Sequence, residues 1–258
     1  MVQLSSIIVS RSSSLSKRIK ALSLIALILF NAFSYAQKLE GSVHYLNTEN
    51  IKKKFAALDY LNQGTIDNLA NYSIEMSNSG KNVNMGQTTL YLNATQTKYA
   101  DWDEMDYTIT RDFSKQTLHD LIVVEGKTYL IEDSLRAPRW LIKNEMKEIA
   151  GHTCMNAFYN DTLKHQKIMA WYALDIPIQG GPERFYGAPG LILEVDINDG
   201  ALVITADKIE LKKLTTELDF PKKAKGKKIK EKDYFEILRK KIVENRNDHQ
   251  PLWKGLRY

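Results

Sequence analysis

Cys154 is the only cysteine among the 258 residues, and it follows His152 by two positions in the run His152-Thr153-Cys154-Met155-Asn156-Ala157-Phe158. A thiol with an imidazole in reach is the minimum for a cysteine nucleophile, the ring taking the thiol proton. Positions two apart on a strand share a face, and an adjacent strand could bring His165 near. The same three residues could hold a soft metal. The plainer reading is a buried free thiol acting as a small apolar side chain, and neighbouring Met155 and Phe158 favour it. Residues 101–106, Asp101-Trp102-Asp103-Glu104-Met105-Asp106, pack four carboxylates into six positions. A calcium loop would need alternating oxygen ligands and a glycine at the bend, which is missing. Pairs such as Asp101/Asp103 and Glu132/Asp133 read as a solvated acidic rim rather than as an acid and base flanking a scissile bond. Gly-x-Ser-x-Gly, phosphate-cradling glycine loops and His-Glu-x-x-His are absent from the sequence. No catalytic residue, metal ligand or cofactor is therefore assigned.

The densest signal lies in residues 171–195, W-Y-A-L-D-I-P-I-Q-G-G-P-E-R-F-Y-G-A-P-G-L-I-L-E-V, which hold three of the chain's six prolines. Solvent loops favour Ser, Asn and Asp. This one is rich in residues that fix or free the backbone and in rings that gain from burial. It is expected to fold onto the core between two strands. Its rings and turn residues, Trp171, Tyr172, Pro177, Phe185, Tyr186, Gly187, Pro189 and Gly190, are the candidate binding residues, since a curved sheet closed by such a loop makes an apolar mouth. Pro189-Gly190 fits the centre of a type II turn, with the glycine at positive φ.

The run Gly187-Ala188-Pro189-Gly190-Leu191-Ile192 resembles the signature of the GLPGLI family, secreted Bacteroidetes-type proteins named for Gly-Leu-Pro-Gly-Leu-Ile, with Ala188 in place of the leucine. The resemblance extends over Trp171-Tyr172, Ile176-Pro177, Gly181-Pro182 and Leu193-Glu194-Val195, and upstream to Ile149-Ala150-Gly151-His152-Thr153-Cys154. It covers about residues 140–195. The family carries no established activity, so the resemblance implies kinship and export rather than a mechanism.

The elements that must position these residues read mainly as strands. Residues 38–46 form a first strand. Asn47 to Asn50 cap a short amphipathic helix to about Tyr60, with Ile51, Phe55 and Leu58 on one side. Alternating Tyr72, Ile74 and Met76 predict a half-buried strand over 71–78. Strands are then expected at 88–93, 96–100, 107–112, 117–124, 127–133, 140–142, 147–149, 154–160, 166–172, 190–197 and 201–211, with turns such as Glu125-Gly126 and Asn198-Asp199-Gly200 between them. So long an antiparallel meander must curl into a half-barrel, barrel or sandwich.

Both ends differ in composition. Arg11, Lys17, Arg18 and Lys20 precede an apolar run over 21–33, and Ser34-Tyr35-Ala36 supplies small residues for cleavage before Gln37. This reads as a signal peptide over 1–36, hence a periplasmic or secreted protein. The β domain then spans 37–211 and carries 17 Lys/Arg against 24 Asp/Glu, while 212–258 carries 15 against 7. The whole-chain charge of +5 thus describes a leader and a basic tail rather than a nucleic-acid-binding surface. In the tail, a lysine-rich linker precedes a helix over 230–244. With Tyr234 and Leu238 near one face, that helix can dock on the sheet or lie on an anionic membrane surface. The expected function is a non-catalytic binding or accessory module of the cell envelope with a protein partner. The alternative is a carrier of an apolar or lipid-like ligand in a half-barrel groove, and a Cys154 hydrolase ranks last.

Overall fold

The computed structural model describes residues 39–77, 80–100 and 107–248. The expected signal peptide, 1–36, and the acidic run 101–106 lie outside the described residues. Among the described residues twelve strands form one open, mixed sheet: β1 Gly41–Asn50, β2 Val83–Leu92, β3 Gln96–Ala100, β4 Tyr107–Asp112, β5 Thr117–Val124, β6 Lys127–Ser134, β7 Leu141–Ile149, β8 His152–Asp161, β9 Gln166–Ala173, β10 Ile192–Ile197, β11 Leu202–Leu211 and β12 Lys227–Ile229. The spatial order is β12-β6-β5-β4-β3-β2-β1-β11-β10-β9-β8-β7. The expected meander is therefore two meanders, β1 to β6 and β7 to β11, stitched together where β1 pairs antiparallel with β11. This places β1 at the centre, between β2 and β11.

Strand boundaries follow from side-chain alternation and turn chemistry. The β5–β6 and β7–β8 hairpins turn through Glu125-Gly126 and Ala150-Gly151, all four residues at positive φ, the backbone that two-residue hairpin turns require. The two short strands expected at 140–142 and 147–149 are one strand, β7, interrupted by a bulge between Ile142 and Met146. Such a bulge adds unpaired residues without ending the strand.

Among the described residues three helices accompany the sheet: α1 Ile51–Ala56, α2 Gln63–Glu75 and α3 Glu231–Asn247. Asn50 caps α1, its side-chain oxygen accepting from the Lys53 amide at 3.0 Å, and Asn62 caps α2 through the Thr65 amide at 3.0 Å. Where a strand was expected over 71–78, residues 71–75 are instead the end of α2. Alternation there was coincidental. On a helix Ile66 and Ala70 are four apart and both are buried, while Tyr72 and Met76 are exposed. The lysine-rich linker also contributes more than a tether: Lys227–Ile229 pairs parallel with Tyr129–Ile131 at the sheet edge.

Cross-strand partners share a face, so the registers sort the side chains into two sets. Val43, Tyr45, Leu90, Tyr99, Ile109, Asp120 and Ile131 lie on one face, here called the inner face, and are all at most 2% exposed. Ser42, His44, Leu46, Thr89, Tyr91 and Lys208 lie on the other. Loop 174–191 covers the inner face: Gly180 rests against the Thr97 side chain, and where the loop enters β10 the Tyr45 hydroxyl donates to the Ile192 carbonyl at 2.7 Å.

Helix α3 also docks on the sheet. Tyr234 and Leu238 are buried. Glu231 donates its amide to the Asp133 carboxylate at 3.2 Å at one end of β6, and Lys241 pairs with Glu125 at 2.9 Å at the other. Further along, Arg246 pairs with Asp59 at 2.9 Å and lies over the Tyr60 ring. Docking, one of the two fates open to this helix in the sequence, thus uses its apolar face and part of its positive charge.

Candidate functional site

The loop expected to form a mouth is packed tight. Tyr172, Ile176, Ile178, Phe185, Tyr186, Ala188 and Leu191 are all buried, while Pro177 and Pro189 are exposed. Trp171 points to the opposite face, where Lys147 sits 4.4 Å from its ring centre. The Tyr186 hydroxyl accepts from the Arg136 amide at 2.8 Å, and its carbonyl accepts from the Trp140 indole at 2.9 Å. These contacts bind the loop to the β6–β7 connection. Gly187 has φ of 86°, and a Cβ there would lie 2.3 Å from the Ala137 Cβ. Gly190 differs from expectation, because it is absent from the positive-φ residues. Its requirement is close approach: a Cβ would stand 1.9 Å from the Ala173 carbonyl oxygen.

Beneath the loop lies a buried polar network that sequence reasoning missed. Asp120 is wholly buried and forms a bidentate pair with Arg111, whose second nitrogen donates at 3.3 Å. Arg184 comes within 3.7 Å of Asp120 and 2.5 Å of Glu231 at the start of α3, with its guanidinium 4.8 Å from the centre of the Tyr234 ring. Burial alone would lower the Arg184 pKa, but Asp120, Tyr234 and Glu231 outweigh it and push it up. Neighbouring Glu183 has φ of 52° and accepts from the hydroxyls of Tyr99, at 3.2 Å, and Tyr107. Loop, sheet and C-terminal helix meet in this one network. The sequence did carry a signal for it, since Asp120 falls in phase with Leu118 and Ile122, and Arg111 in phase with Ile109.

The thiol chemistry weighed for Cys154 is not assembled. Cys154 is fully buried, and its thiol donates to the His152 carbonyl at 3.5 Å. The His152 ring is paired with Asp175, with Nδ1 2.8 Å from the carboxylate. His165 sits in the turn at the far end of the β8–β9 hairpin, so the strand rise places it roughly 24 Å from the Cys154 end. Burial, reinforced by Asp175, pushes the thiol up to about 11. At pH 8 only about one thiol in a thousand is then ionised. Labelling of native Cys154 by a disulfide reagent should be at least about 100-fold slower than in the unfolded chain. Equal rates would restore the nucleophile reading. Among the described residues no cluster of three or more His, Cys, Asp or Glu could hold a metal ion.

The opposite face carries a groove of about 610 Å³ over the central strands. Its floor is set by register: Ser42 opposite Tyr91 and Glu210, His44 opposite Thr89 and Lys208, and Leu46 opposite Gln87. His44 is held with Nδ1 3.3 Å from the Thr89 hydroxyl and Nε2 3.3 Å from the buried Ser42 hydroxyl. Glu210 lies 3.5 Å from His44 and pairs with Lys208, whose hydrogen bond and charge hold the carboxyl down to about 2. Neighbouring parts of this face are occupied. On the β5 side, Phe220 of the linker stacks on the His119 ring at 3.6 Å. On the β9 and β10 side, Lys147 of β7 reaches Glu194 at 2.5 Å. None of the groove residues belongs to the loop. Their signal in the sequence is little more than the polar phase of ordinary strands, chiefly β1, β2 and β11.

A family model described as a protein of unknown function (Porph_ging) matches residues 159–194, from the end of β8 through the loop into β10. That family is associated with Bacteroidetes. No curated protein sequence matches the chain. Among solved structures, PNGF-II in two crystal forms is similar at TM-scores of 0.53 and 0.54, with 14% and 13% identity. The match covers 77% and 78% of this chain but 32% and 33% of the other, so the chain spans about a third of PNGF-II. At that identity the likeness is one of fold. An uncharacterised conserved protein from Thermus thermophilus matches at 6% identity over 80% of this chain and 98% of the other, with a TM-score of 0.37, too low to support any argument.

Proposed function

We propose that this chain is a GLPGLI-type, exported, non-catalytic binding module of the cell envelope, and that its contact surface is the groove over β2, β1 and β11. The observation that carries this reading is the groove itself. Its volume of about 610 Å³ falls within the ~300–1,000 Å³ usual for ligand sites, and its floor side chains are held in place by one another. The raised pKa and full burial of the single thiol support a non-catalytic role. An apolar carrier is less favoured, because the ring-rich loop and α3 already fill the inner face, and most of the residues lining the groove are polar or charged. Export rests on the leader, and the mature N-terminus should be Gln37 or within a few residues of it. Mass spectrometry of the exported chain will show this, and an intact leader on all of the protein would overturn it.

The groove is tested with a photo-crosslinking side chain placed at Gln87 in the groove or at Lys232 on the exposed side of α3. In living cells of an exporting host, Gln87 should give a discrete crosslinked product, and Lys232 should not. The product should also disappear when Tyr91→Ala is added at unchanged melting temperature. Equal yields at both positions would sink the groove as the contact surface.

A further inference from the structure

We infer that the groove over the central strands accepts a neutral oligosaccharide. This deepens the groove reading above and rests on it. The side chains offered are of mixed hydrogen-bonding character: the Thr89 hydroxyl, the Gln87 amide, the His44 imidazole and the Glu210 carboxylate, beside the Tyr91 ring. Mixed donors and acceptors next to an aromatic surface complement a ring that carries hydroxyls at its edge and C–H groups on its faces.

Charge complementarity narrows the class. Lys208 is already paired with Glu210, and Lys212 adds a second contact to the same carboxylate at 3.6 Å. Asp207 and Glu210 disfavour an anion, while Lys208 and Lys212 disfavour a cation. A neutral ligand leaves these pairs undisturbed.

The backbone excludes an extended peptide held as an added strand. β1 pairs with β2 on one side and with β11 on the other, so the floor has no free ladder edge to give. Recognition here must run through side chains. From Gln87 to Tyr91 the floor extends roughly 13 Å along β2, room for more than one sugar unit.

The test uses the mature chain, 37–258, labelled with ¹⁵N and titrated with three neutral probes: maltopentaose, cellopentaose and chitopentaose. At least one should shift amide resonances of β1, β2 and β11 in a saturable way. Tyr91→Ala and Gln87→Ala should each weaken that binding at least ten-fold without changing the rest of the spectrum, and Lys232→Ala should leave it unchanged. If none of the three sugars shifts the groove while the Gln87 crosslink persists, the oligosaccharide class is wrong and the groove reading stands. If the crosslink is also lost, both fall. Shifts confined to loop 174–191 or to α3 would likewise overturn the assignment.

Discussion

Asp120→Ala is expected to lower the stability of the fold by about 3–5 kcal/mol, the usual cost of removing one partner from a buried ion pair. Asp120 and Arg111 are 0% and 3% exposed at their side chains, so water cannot replace the lost carboxylate. Arg111 would keep only its contact to the Thr110 carbonyl at 2.7 Å and the face of Tyr186, with the guanidinium 5.1 Å from the ring centre. Arg184 would lose one of its two carboxylates and retain Glu231. A folded domain has only ~5–15 kcal/mol of stability in total. A chain of this size should melt roughly 10 °C lower. The double substitution Arg111→Met with Asp120→Leu removes both charges at similar volume and should recover most of the loss. Thermal and urea melts of the three proteins decide the matter. A loss below about 1 kcal/mol for Asp120→Ala would mean that the pair is hydrated and the network is not a fastening.

The same network makes the C-terminal helix a dependent part of the fold. Arg184→Ala leaves Glu231 and Asp120 facing each other without the cation between them, and removes the stacking surface for Tyr234. Amide exchange in α3 should then accelerate at least ten-fold relative to β1, which sits at the centre of the sheet. Uniform acceleration across both elements would instead indicate global destabilisation without selective release of the helix.

Strands such as Gln96–Ala100, Tyr107–Asp112 and Thr117–Val124 are legible in the sequence to the residue, because alternation and turn residues are local properties. The early helix was legible through its Asn50 cap. What escaped was decided at long range. Residues 71–78 alternate like a strand, but the helix capped by Asn62 runs on through Glu75. The pairing of β1 with β11 joins residues about 160 positions apart, and no local pattern encodes it. The parallel pairing of Lys227–Ile229 is carried by backbone groups beneath a sequence that looks like a solvated linker. The site divided in the same way. The loop was visible by composition, and its ordered packing was expected. The groove was not visible, because threonine, glutamine and histidine on the polar phase of a strand look the same whether they face open water or line a concavity. The Arg111–Asp120 pair was hidden by the habit of reading charges as surface, although both residues sit in apolar phase.

Gly190→Val should be the most damaging single change in the loop. At 190 the backbone runs so near its neighbours that any Cβ would lie 1.9 Å from the Ala173 oxygen and 3.3 Å from the Ile176 oxygen. Those contacts are backbone, so no side-chain rotation can relieve them. Relief requires the 189–191 segment to move outward. Such a move breaks the hydrogen bonds from the Leu191 amide to the Ile176 carbonyl, 3.0 Å, and from the Ala173 amide to the Leu191 carbonyl, 2.8 Å. Each lost buried backbone bond costs about 1–3 kcal/mol, and Leu191 and Ile192, both fully buried, would shift with them. A total of about 3–6 kcal/mol follows, enough to leave the protein partly unfolded at 37 °C. Even Gly190→Ala should show most of this loss, which separates close approach from bulk. Two controls frame the result. Gly86→Ala on β2 meets nothing within 4 Å and has no positive φ, so its melting temperature should hold or rise slightly. Pro189→Ala, at an exposed position next to the critical one, should change stability by less than about 1 kcal/mol. Melting curves for the four variants read this directly. If Gly190→Ala melts with wild type, the loop can yield at 190, and its glycine is there for some reason other than the contact with Ala173.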